Sequence, residues 1–193
     1  MPDHSHLSAQ HSADFTLNDW LAYIEALHPK DIEMGLARVE EVSQRLNLDI
    51  HFPIITVAGT NGKGSTCAML EHIYHAAGYR VGTYSSPHFL RYSERVRVAC
   101  QEITDLDLIA AFRAVEKARR DTQLTYFEYG TLAAMWHFSQ AGLDVLILEV
   151  GLGGRLDAVN VFEPSCAIVT SVDLDHMEFL GDTRESIGAE KAG

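Results

Sequence analysis

Residues 54–70 read IITVAGTNGKGSTCAML. An apolar, β-branched run from Ile54 to Ala58 enters a turn carrying Gly59, Gly62 and Gly64. The turn then opens into a helical pattern in which Leu70, Ile73 and Ala77 recur at helical spacing and Gly78 stands at the stop. Strand, glycine turn, lysine, hydroxyl and helix form a phosphate-binding order. The glycines let backbone N–H groups turn inward around an anion, and the helix N-terminus adds partial positive charge. Lys63 offers a mobile cation for terminal phosphates, and Ser65 a hydroxyl for a phosphate or its metal. The stretch departs from G-x-x-x-x-G-K-[ST], because Val57 holds the first glycine position and Gly64 separates Lys63 from Ser65.

The chain has 193 residues, 47% of them hydrophobic, which is enough for one domain with a sizeable core. Its 27 acidic residues against 15 Lys and Arg give a net charge of −12. That balance argues against nucleic acid or an anionic membrane as the main partner. An anionic substrate then needs Lys63, a few arginines and a divalent cation. Cys67, Cys100 and Cys166 are scattered, as expected of free thiols. No leader or spanning pattern appears, so a soluble, cytoplasmic chain is expected.

Residues 1–15, with His4, His6 and His11, read as a disordered tail ahead of a domain over 16–193. Thr16 caps a predicted helix with a stripe of Leu17, Trp20, Leu21, Ile24 and Leu27; a Pro29 turn leads to a second, from Leu36 to a stop at Asn47. After the P-loop helix, 80–85 reads as a strand ending in the loop Ser85-Ser86-Pro87-His88. Arg91, Arg95 and Arg97 alternate with Val96 and Val98, as an amphipathic strand or an anion-binding arm. Thr104 and Asp107 start a helix whose charged end, 117–121, reads as solvated, and 125–129 reads as an aromatic connector into another helix. Residues 143–149 are a buried strand finishing on Glu149, a carboxylate that needs a cation there. A flexible loop, 151–157, precedes another buried strand over 166–172; His176 follows it, as a structural histidine or a metal ligand, and a last helix carries Glu190 and Lys191. These elements predict an α/β fold with a mostly parallel sheet flanked by helices. Its ligand edge is the carboxyl end of the strands.

Six stretches in this order resemble the folylpolyglutamate synthase/dihydrofolate synthase family of the Mur ligase superfamily. They are GTNGKGS (59–65), YSSPH (84–88), TYFEYGT (125–131), EVGLGGRLD (149–157), LDH (174–176) and ESIGAEKAG (185–193). The resemblance implies a P-loop, Mur-type central domain and an ATP-dependent ligase. ATP phosphorylates a pterin carboxylate, and the amine of L-glutamate attacks the acyl phosphate. Carried over by position, Thr60, Asn61, Gly62, Lys63, Gly64 and Ser65 hold ATP. Mg2+ falls to Ser86, Glu149 and His176, with Ser65 left on phosphate. Lys191 takes the place of the family's carbamylated lysine, which serves a second metal. Lys63, Lys191 and His176 are then the catalytic set. Dihydropteroate or tetrahydrofolate falls to Ile32, Glu33 and Met34, to Thr125, Tyr126, Phe127 and Glu128, and to Leu156, Asp157 and Ala158.

Members of that family are roughly twice as long. The resemblance therefore implies an N-terminal part, incomplete at its C-terminal end, lacking a glutamate-ligase domain and inactive alone, from a monomeric parent. With two residues after it, Lys191 is expected to stay exposed, protonated and free of carbamate. The alternatives are a ligase of cell-wall precursors and a nucleotide-binding module without ligase activity.

Overall fold

The computed structural model describes residues 15–28, 30 and 32–193. The histidine tail and the Pro29 turn lie outside them, except Phe15, whose ring packs edge-on at 5.6 Å from Trp20. The buried run Ile54–Ala58 forms β1, and the equally buried Val145–Glu149 forms β5 beside it in parallel. Around this pair the sheet is ordered β4-β3-β2-β5-β1-β6. Here β2 is Val81–Tyr84, β3 Val96–Val98, β4 Gln101–Glu102 and β6 Cys166–Val169. β2, β5, β1 and β6 run parallel, whereas β3 and β4 turn back antiparallel.

Alternation along the strands divides the core in two. Ile55, Val57, Val145 and Ile147 face α3 (Lys63–Ala76) together with Cys67. Ile54, Leu146 and Leu148 face a larger layer built from α1 (Leu17–Ala26), α2 (Ala37–Leu46), α4 (Asp105–Arg119) and α5 (Tyr126–Gln140). Phe112 of α4 anchors that layer, its ring 5.8 Å from both Tyr92 and Tyr129. α6 (Met177–Leu180) and α7 (Arg184–Ala192) follow β6.

The sequence misplaces four features. α3 buries Cys67 and Glu71, not the expected stripe, for Ile73 is 63% exposed. Glu71 can be buried because Arg97 of β3 reaches it at 2.8 Å. Arg119, expected in a solvated run, is buried between Glu116 and the Tyr23 hydroxyl, each 2.7 Å away. The aromatic segment is no connector: Thr125 caps α5, and Tyr126 begins its first turn. β6, expected to be buried, ends at Val169 and is largely exposed. Among the described residues its only strand partner is β1.

Candidate active site

β1 ends at Ala58 and the chain turns through Gly59, with φ +144°, and Gly62, with φ +86°. A Cβ on Gly59 would sit 1.9 Å from the Thr170 hydroxyl, so only glycine fits this turn. α1, α4, α5 and α7 begin under a capping side chain, whereas Gly62 offers α3 none. The first N–H groups of α3 therefore point out of the helix start without a side-chain acceptor. The rest of the turn is tied to the segment after β6. Thr60 N–H donates to Ser171 O at 2.7 Å, and Asp173 N–H donates to the Thr60 hydroxyl at 3.0 Å.

The two lysines of interest converge on one carbonyl. Lys63 Nζ donates to Gly59 O at 2.9 Å, and Lys191 Nζ donates to the same oxygen at 3.2 Å. This corrects the expectation for Lys191, which is only 6% exposed. α7 folds back onto the 151–157 loop, where Arg155 N–H donates to Glu190 O at 2.8 Å and the Arg155 guanidinium meets the Glu190 carboxylate. Burial first, then the Lys63 charge, lowers the Lys191 ammonium below its usual range. Both effects disfavour the charged form.

Glu149, at the end of β5, is buried and takes the Ser86 N–H on Oε2 at 3.1 Å. Desolvation raises its carboxyl, opposed by that N–H and by the charges of Lys63 and Arg97. No ion pair satisfies Glu149 among the described residues, and no group of three His, Cys, Asp or Glu side chains could hold a metal. One buried carboxylate beside a serine suits Mg2+, which keeps water and phosphate oxygens as its other ligands. The residues fit that ion and do not form an all-protein cage. His176 is exposed in a left-handed conformation, φ +47°, with Nε2 3.7 Å from Asp175.

A cavity of about 540 Å3 opens beside this edge. It gathers Lys63, Ser86 and His176 with Ile32, Glu33, Met34, Thr125, Tyr126, Phe127, Glu128, Leu156, Asp157 and Ala158. These groups lie more than 90 residues apart in places, and the fold brings them to one space. Thr60, Asn61, Gly62, Gly64 and Ser65 are outside its lining, as are Glu149 and Lys191. Gly64 and Glu149 are neighbours nonetheless, a Cβ on Gly64 lying 3.7 Å from the Glu149 carboxylate.

Charged groups hold the cavity wall. Arg38 Nε and Nη2 donate to the Glu128 carboxylate at 3.2 and 2.8 Å. Its Nη1 reaches the Glu33 carboxylate at 3.0 Å and its Nη2 the Glu33 carbonyl at 2.8 Å. Glu128 also takes the Thr125 N–H at 2.8 Å, so its carboxylate is engaged within the protein. Sequence reasoning missed Arg38, 90 residues from Glu128; no local pattern joins the two. Asp157 is buried, taking N–H bonds from Leu152 and Val159 at 2.8 and 3.1 Å, so the loop that read as flexible is fixed around it. Burial raises its carboxyl from 3.8 to about 6 despite those bonds. Cys67 is inert by contrast, its thiol pushed up to about 12 by burial.

Among the described residues no helix is long and apolar enough to cross a membrane. The Mur ligase middle domain matches residues 57–193. The chain is 59% identical over 178 residues to dihydrofolate synthase/folylpolyglutamate synthase of Escherichia coli K12, covering 92% of this chain and 42% of that protein. The structure of E. coli FolC in complex with DHPP and ADP superposes with a TM-score of 0.91 at 58% identity, over 94% of this chain and 44% of that one. A bifunctional folylpolyglutamate synthase/dihydrofolate synthase with Mn, AMPPNP and L-glutamate bound gives 0.87 at 55% identity, over 93% and 44%. The chain thus spans under half the length of these relatives.

Proposed function

Because the chain belongs to the Mur ligase middle-domain family, we propose that it carries the nucleotide loop and acceptor pocket of an ATP-dependent ligase. The full-length protein joins L-glutamate to a pteridine carboxylate, that of dihydropteroate or tetrahydrofolate, through an acyl phosphate. One observation carries this reading: a single cavity combines an aromatic, acid-lined wall with Lys63, Ser86 and His176, next to the uncapped start of α3. A flat heterocycle and a phosphorylated carboxylate need those two surfaces side by side. The relatives named for folate ligation support this acceptor over a cell-wall precursor.

In this reading Thr60 to Ser65 cradle the ATP phosphates with the N–H groups opening α3. Lys63 leaves the Gly59 carbonyl to meet the terminal phosphates. Mg2+, when bound, neutralises charge on the phosphates during transfer. Ser86, Glu149 and His176 would hold it. Tyr126, Phe127, Asp157 and Ala158 orient the pteridine, so its carboxylate meets the γ-phosphate in line. Lys191 is assigned as a carbamate; a buried amine beside the Lys63 charge supports this. Residues 16–193 form the ATP-binding unit, and the glutamate site belongs to a further domain of the full-length protein.

The test is ADP release by the full-length protein, dependent on both glutamate and dihydropteroate or tetrahydrofolate. Lys63→Ala is expected to weaken ATP binding more than about tenfold, a loss above about 1.4 kcal/mol. Undiminished ATP affinity in calorimetric titration, or no pteridine-dependent turnover in the unmodified enzyme, would overturn the reading. Carbon-13 NMR with labelled bicarbonate checks Lys191, which should give a carbamate signal absent from Lys191→Arg.

A further inference from the structure

Three arginines leave the antiparallel edge of the sheet, and two are matched. Arg91 pairs with Glu102 at 2.9 Å, and Arg97 pairs with Glu71 at 2.8 Å. Arg95 is different. It is 8% exposed, it lines the cavity, and no carboxylate of the described residues reaches it. Its Nε donates to His88 Nδ1 at 2.9 Å, and its guanidinium lies 5.1 Å from the Tyr92 ring centre and 5.7 Å from that of Tyr126. The Tyr84 hydroxyl is its other neighbour.

Every one of these partners is neutral. His88 accepts on Nδ1, which requires the uncharged ring; burial and then the Arg95 charge lower its proton affinity. The tyrosines, Tyr84 and Tyr92 buried and Tyr126 partly so, are phenols held above their ordinary range, chiefly by desolvation. Aromatic faces and a ring nitrogen offset part of the cost of burying a cation, and an anion offsets far more. A guanidinium facing a cavity supplies two parallel donors, the geometry of carboxylate recognition. The phosphate donors stand elsewhere, at Lys63 and the start of α3.

We propose that Arg95 is a specificity-determining residue that anchors a carboxylate of the acceptor molecule inside the cavity. The proposal rests on the pteridine-acid reading and adds the group that separates acid from neutral analogue. Pteroic acid and its primary amide share the ring system and differ only in that charge. Titrated into the full-length protein without ATP, the acid should bind at least about tenfold tighter than the amide, the scale of a hydrogen bond to a charged group. Arg95→Gln should bring the two within about twofold of each other, by weakening the acid alone. Arg95→Lys keeps the charge without the fork and should retain part of the preference; it decides the matter if Arg95→Gln does not melt cooperatively. A preference undiminished in Arg95→Gln, or in Arg95→Lys where the glutamine variant does not fold, overturns the proposal. Equal binding of acid and amide by the unmodified protein overturns it and leaves the ligase reading standing. Binding of neither compound removes the acceptor class itself, and Arg95's role with it.

Discussion

The two sides of the sheet's carboxyl edge are built by different means. On the acceptor side, Tyr92, Phe112 and Tyr129 are all at most 5% exposed and interlock ring against ring. Even its charges, Arg95, Glu128 and Asp157, are buried. On the phosphate side, β6 is largely exposed and Val169 is 41% exposed. There the P-loop is tied by hydroxyls and backbone: Thr60 to Asp173, Asn61 to Ser171, and Thr170 to the Asn61 carbonyl at 2.7 Å. Packing shapes the acceptor wall before any ligand arrives. Solvent-facing hydrogen bonds, each worth about 0.5–1.5 kcal/mol net, shape the phosphate side, which belongs to the low-stability end of the molecule.

Removing the hub of the packed side should have the largest effect. Phe112→Ala deletes a fully buried ring touching Trp20, Tyr92 and Tyr129, and should cost about 3–5 kcal/mol in denaturant unfolding. A loss below about 1 kcal/mol would erase the contrast between the two sides. Next comes the polar strut of the same wall. Arg38→Ala leaves the buried Glu128 carboxylate with the Thr125 N–H alone and frees the Glu33 segment. Partial exposure of Arg38 tempers the cost to about 1–3 kcal/mol. Acceptor KM should rise while ATP affinity holds; a matching fall in ATP affinity would show that the two sides are one unit.

The smallest step moves a proton. The Asp157 carboxyl should titrate near pH 6 by carbon-13 NMR, against an ordinary 3.8. A carboxyl raised in the folded state adds stability that is complete below the ordinary value and is lost as pH rises through about 6. A midpoint near 4 would mean that the acceptor side is wetter than its packing implies.

The sequence was most legible where structure is contiguous. A β-branched run, a glycine turn and a lysine lie within 17 residues, and β5 announces itself as an unbroken apolar segment. Helix starts at Thr16 and Thr104 follow from local capping chemistry, whereas the cap at Thr125 was hidden in a segment that reads as a connector. Pairings across the fold were silent. Nothing in the sequence marks Glu71 as buried, because its partner Arg97 lies on β3, and Ile73 reads as core until Glu71 takes the inner face. β6 has the composition of a covered strand, but composition does not report what lies next to it. Lys191 was misjudged from its position near the end, because its burial comes from contacts with Gly59 and the 154–155 loop. The ten acceptor positions came from resemblance; no periodicity would have assembled them.

Gly59 gives the nucleotide turn a particular standing under inherited change. Any replacement meets two separate obstacles, a backbone at φ +144° that side chains disfavour and the Thr170 hydroxyl 1.9 Å from a new Cβ. Trimming Thr170 removes the second alone, and takes away a bond to the Asn61 carbonyl. A change at Thr170 alone therefore does not restore the turn. A lineage that loses this glycine cannot walk back through that neighbour.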